Sequence, residues 1–161
     1  MPRRSPRIKG FTLIEMLVTL TVLAILASAI IPLGQMALKR EKEIELKRDL
    51  RLLREAIDAY KKMADEKKFE FEEETMGYPP NLEILVKGVE TKVEEQGKEA
   101  TTKVVKFLRR IPRDPITGTL DWGLRSYQDK PDSTNWGEEN VYDVYTKSQG
   151  TAIDGSKYKD W

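Results

Sequence analysis

The sequence predicts an α+β fold: a long N-terminal helix, apolar in its first half and amphipathic in its second, packed on a small antiparallel β-sheet with a loop-rich C-terminal region. Three observations predict it. Residues 11–38 form an apolar run in which Glu15 is the only charged residue. Residues 39–68 are densely charged, yet Leu46, Leu50, Leu53, Ile57, Tyr60 and Ala64 recur at alternating steps of four and three, which is one face of a helix. Beyond them, short β-prone segments are separated by turn residues, in an order that suits α+β rather than α/β.

The first helix is bounded by its own composition. A bilayer core needs about 20 apolar residues in a helix, so residues 11–38 can span one. Pro32 interrupts the amide ladder, leaves the Ser28 carbonyl without its usual donor, and predicts a kink or a loosened turn. No Gly or Pro follows between Met36 and Met76, so the helix is expected to run from Phe11 to about Asp65. At 1.5 Å per residue that is roughly 80 Å.

The remaining elements are shorter. Residues 69–75 are acidic and read as a loop or helix end, and Gly77-Tyr78-Pro79-Pro80 as a turn. Asn81 can cap a short helix that reaches Gly88. Residues 89–102 are charged and read as a surface excursion. Asp114-Pro115-Ile116-Thr117-Gly118 is a turn, and residues 122–127 and 141–146 are strands flanking a turn-rich stretch at 128–137. Residues 150–161 have loop composition, and Trp161 is expected to pack back on the body.

Composition excludes several function classes. The chain has 161 residues and a net charge of +1, and no nucleic-acid partner is expected. Four of the 28 basic residues (Arg3, Arg4, Arg7 and Lys9) fall in the first nine positions; the other 24 face 27 acidic residues, a balance of −3. The chain has no Cys and no His, which removes disulfides, thiol or imidazole catalysis and His/Cys zinc sites. Glu72, Glu73 and Glu74 read as a solvated acidic face. Asp121, Asp129 and Asp132 have no basic or nucleophilic partner at a recognisable spacing, and Trp122, Tyr127 and Trp136 read as packing residues. No phosphate loop, dinucleotide fingerprint or nucleophile elbow is present, so the chain reads as a non-enzyme that requires no cofactor.

Three explanations fit a basic stretch followed by an apolar run. A cleavable secretory signal could use Ala27-Ser28-Ala29, but the apolar run before that site is too long and contains Glu15. A plain signal anchor accounts for the basic flank but not for Glu15, since a carboxylate at mid-bilayer costs roughly 2.5–3.5 kcal/mol. The third explanation rests on Lys9-Gly10 followed by Phe11-Thr12-Leu13-Ile14-Glu15-Met16-Leu17-Val18. This register resembles the prepilin processing motif of the type IV pilin-like superfamily, which includes type II secretion pseudopilins.

The resemblance implies cleavage between Gly10 and Phe11 by a prepilin peptidase, with N-methylation at Phe11 and the apolar run retained. It implies that Glu15 and Pro32 serve assembly, Pro32 by marking a stretch that melts when the filament forms. Glu15 lies four residues beyond the new amine, about 6 Å along a helix axis, so one subunit's ammonium can meet the next one's carboxylate. Pairing with its own amine is the alternative.

Later segments extend the resemblance. Tyr78-Pro79, Leu82 to Val86, Leu108, Ile111-Pro112 and Asp114-Pro115 are similar to the middle of the major, G-type pseudopilin of type II secretion. Tyr142-Asp143-Val144-Tyr145-Thr146, Asp154-Gly155 and Asp160-Trp161 are similar to its final strand and C-terminal loop. The presence of Glu15 favours a major over a minor subunit. The implied partners are other copies of the chain, minor pseudopilins, the prepilin peptidase, an inner-membrane assembly platform and membrane lipid. The implied location is the bacterial inner membrane, N-terminus cytoplasmic and head periplasmic, then a periplasmic filament that drives export. The division is then a basic leader at 1–10, a membrane or filament-core half at 11–38, an amphipathic half at 39–68 and a head at 69–161. A surface or DNA-uptake pilin and a signal-anchored periplasmic binding module remain as alternatives. In major pseudopilins the C-terminal loop commonly binds calcium, for which this chain offers Asp154 and Asp160, although Lys147, Lys157 and Lys159 intrude.

Overall fold

The computed structural model describes residues 10–93 and 101–161. The leader at 1–9 and the centre of the charged stretch, 94–100, lie outside the described residues. Helix α1 covers Leu13–Asp65, as the apolar run and the stripe predict. The chain forms two compact units, Met1–Lys39 and Arg40–Trp161.

In the first unit the described residues are helical from Leu13 onward, and the helix continues through Pro32. Its large apolar side chains are exposed throughout. The hydroxyls of Thr19, Thr21 and Ser28 bond back to the carbonyls of Met16, Leu17 and Ile25 at 2.9, 2.7 and 2.7 Å. These three hydroxyls are thus satisfied within their own helix.

The second unit has a core built on the predicted stripe. Leu46, Leu50, Leu53, Ile57, Tyr60 and Ala64 are all buried. All but Ala64 pack with Leu82, with Leu85 of helix α2 (Glu83–Lys87), with Leu108 and Trp122, and with Val141, Val144, Ala152 and Tyr158. Each fully buried aliphatic contributes about 1.5–3 kcal/mol. Asn81 starts α2, its Oδ1 accepting the Ile84 N–H at 3.1 Å, and Gly88 ends it at φ 88°.

The strands form two sheets. β1 (Val89–Val93) pairs antiparallel with β2 (Thr101–Val105), with Val89 opposite Val105 and Thr91 opposite Lys103. This hairpin corrects the reading of residues 89–102 as a surface excursion. Val89 and Thr91 alternate with Glu90 along β1, and both are buried. The signal was period-two alternation, hidden by the charged residues between the strands. β3 (Gly123–Arg125) pairs antiparallel with β4 (Asp143–Tyr145), inside the predicted segments. Gly123 sits opposite Tyr145, whose ring lies where a Cβ would project. Only glycine leaves room for that ring.

Candidate assembly site

The start of α1 is set by Thr12. Its Oγ1 accepts the Glu15 N–H at 3.3 Å, and its carbonyl accepts the Met16 N–H at 3.2 Å. Thr-x-x-Glu at a helix start is the spacing of a capping box, and an acid in the first turn also complements the helix dipole. The capping role of Thr12 is additional to the processing motif, and its spacing to Glu15 is the sequence signal for it. The cap fixes the helix start two residues beyond Phe11.

Gly10 and Phe11 precede the helix and are exposed, Phe11 at 73%. No atom lies within 4 Å of a Cβ built on Gly10. The Glu15 carboxylate meets no hydrogen-bond or ion-pair partner among the described residues. By length and composition α1 can cross a membrane, through its N-terminal portion. Gly10, Phe11 and Glu15 therefore stand together at one end of an exposed apolar helix, with Pro32 seventeen residues beyond Glu15.

The second predicted site lies in the C-terminal loop. Asp154 is exposed and accepts from the Ser156 N–H at 2.9 Å and the Ser156 hydroxyl at 2.6 Å. Those hydrogen bonds hold its carboxyl below the usual range. Asp160 is exposed in a short 3-10 turn, Tyr158–Asp160. Glu43 of α1 clasps the loop, its Oε1 accepting the Ile153 N–H at 2.9 Å and the Tyr158 hydroxyl at 2.8 Å. Burial, then the Glu43 carboxylate, pushes the Tyr158 phenol up to about 12. Trp161 packs back as expected, edge-on to Tyr158, with the Lys47 ammonium 4.2 Å from its ring centre.

The acids considered for catalysis have structural roles or face solvent. Asp129 accepts from the N–H groups of Ser126 and Gly137, Asp121 pairs with Lys147 at 2.6 Å, and Glu73 and Glu74 are exposed in a 3-10 turn. Trp122 is buried and donates to the Pro112 carbonyl at 2.9 Å. Tyr127 is half-exposed and contacts Tyr78 and Tyr142.

A family profile described as the prokaryotic N-terminal methylation motif matches residues 5–31. The match supports a type IV pilin-like protein, a structural class rather than a catalytic one, and with the apolar helix it supports a membrane-anchored, single-pass chain. No curated protein and no solved structure matches the chain.

Proposed function

We propose that this chain is the major subunit of a type II secretion pseudopilus. It is cut between Gly10 and Phe11, methylated at Phe11, and polymerises through its N-terminal helix. The register of Gly10, Phe11 and Glu15 carries the reading, because it puts one acid where the new amine of a neighbouring helix can meet it. The Glu15 carboxylate, without a partner among the described residues, and the exposed large apolar side chains between Phe11 and Leu38 support it. The four basic leader residues favour a cytoplasmic N-terminus, which puts the head in the periplasm. The filament then acts as a piston or scaffold for export of folded proteins, and its mechanism is assembly rather than chemistry. The choice of pseudopilus over pilus rests on the Tyr78-Pro79 and Asp114-Pro115 segments and on the lack of a cysteine-closed loop.

The mass of the native protein tests the processing step. A mature chain that begins at monomethylated Phe11 is expected; an intact N-terminus or cleavage after Ala29 overturns the reading. Deletion separates the finer alternatives: loss of protein secretion is expected, whereas loss of long surface filaments with secretion intact identifies a pilus.

A further inference from the structure

Calcium is the ion that the pseudopilin resemblance would place in the C-terminal loop, and the residues present do not fit it. Asp154 Oδ1 is engaged twice by Ser156, and the Lys157 ammonium reaches into the same loop to donate to Thr151 Oγ1 at 2.7 Å. Among the described residues, no group of three or more acidic side chains gathers as a metal-ligand set.

The oxygens that do converge are held by two guanidinium groups. Arg54, from α1, donates Nε to Asp143 Oδ1 at 2.7 Å, and its Nη2 to the main-chain oxygens of Val144 at 3.1 Å and Trp161 at 2.9 Å. Arg125, from β3, donates Nε to the Ser133 carbonyl at 3.0 Å, Nη1 to Asp143 Oδ2 at 3.3 Å and Nη2 to the Lys159 carbonyl at 3.4 Å. Arg125 is buried, and its guanidinium lies 4.1 Å from the centre of the Tyr145 ring. Together the two side chains gather six oxygens from the 128–137 turn, β4 and the C-terminal loop. A calcium ion takes about six to eight.

We propose that Arg54 and Arg125 act as tethered cations in place of a metal ion, fastening the C-terminal loop to α1 and the β3–β4 sheet with no calcium requirement. Two guanidinium charges converge on the Asp143 carboxylate, so a divalent ion entering this cluster meets two fixed cations. Guanidinium stays protonated at any working pH, and its planar fork matches a carboxylate. A chelator does not remove such a clip.

The test is a thermal melt of the full chain in detergent, in calcium chloride and in a calcium chelator. The wild-type Tm is expected to agree between the two within about 1 °C, whereas a calcium site filled at a hundred times its Kd would raise it by roughly 10 °C. Arg54→Gln and Arg125→Gln are expected to lower Tm equally in both solutions and to speed proteolysis within residues 150–161. A rise in wild-type Tm with calcium, recovery of either variant by calcium, or an unchanged Tm in both variants overturns the proposal. If the glutamine variants do not fold, the wild-type comparison and Arg54→Lys, expected to fold with partial loss, still decide it.

Discussion

Asp114 and Thr146, 32 positions apart, share a hydrogen bond between two fully buried side chains, the threonine hydroxyl donating to the aspartate Oδ2. The other Asp114 oxygen accepts the N–H groups of Ile116 and Thr117 at 2.8 and 3.3 Å. One carboxylate therefore shapes the Asp-Pro turn and ties it to the residue that follows β4. Asp114→Ala strands those donors and is expected to cost about 2–3 kcal/mol, against about 1 kcal/mol for Thr146→Val. Urea unfolding of both variants and the double variant checks this; additive losses would mean the two residues are not coupled.

Glu15→Ala is expected to leave processing and membrane anchoring intact and to abolish filament growth. In the proposed assembly the truncation would leave the Phe11 ammonium of a neighbouring subunit without its partner, a loss of about 3–5 kcal/mol per contact for a buried pair. Sheared-filament fractions and N-terminal mass read the two effects separately, and filaments at normal yield would exclude the intermolecular pair.

Stability should decline between about pH 10 and 12 through Tyr158. Its phenol titrates near 12 in the folded chain, above the ordinary value of 10.0, so the neutral form is favoured by folding. The contribution is complete below pH 10 and disappears as the pH rises through 12. Burial raises the phenols of Tyr60 and Tyr78 as well, so the diagnostic quantity is the difference between wild type and Tyr158→Phe. That difference should shrink as the pH climbs across this window; a constant offset would mean that neither burial nor the Glu43 contact raises the phenol.

Gly123→Ala places a methyl carbon against the Tyr145 ring and is expected to cost about 1–3 kcal/mol. Tyr145→Ala opens that space, so the glycine substitution should cost less in its background. Equal penalties in the two backgrounds, measured by denaturant midpoint, would locate the strain elsewhere.

Local pattern carried much of the fold. The stripe from Leu46 to Ala64 was legible because one helix face is buried along its length, and β3 and β4 were legible because Gly and Pro punctuate them. The β1–β2 hairpin was not, because charged side chains surround its two short alternating strands. The Gly10-Phe11-Glu15 register was readable because its partners are close together in the chain. Arg54 and Arg125 gave no such signal: Asp143 lies 89 positions from one and 18 from the other, a pairing that only the folded backbone creates.

The hydroxyls of Thr19, Thr21 and Ser28 give the apolar run a neutrality of its own. Since each is answered by a carbonyl about one turn back, these positions ask nothing of their surroundings. Hydrocarbon tails and neighbouring side chains are interchangeable hosts for such a surface, and passing from one to the other breaks none of these contacts. Glu15 is the one charged position in the run, and there the two hosts differ. That makes it the helix's sensor of the company it keeps.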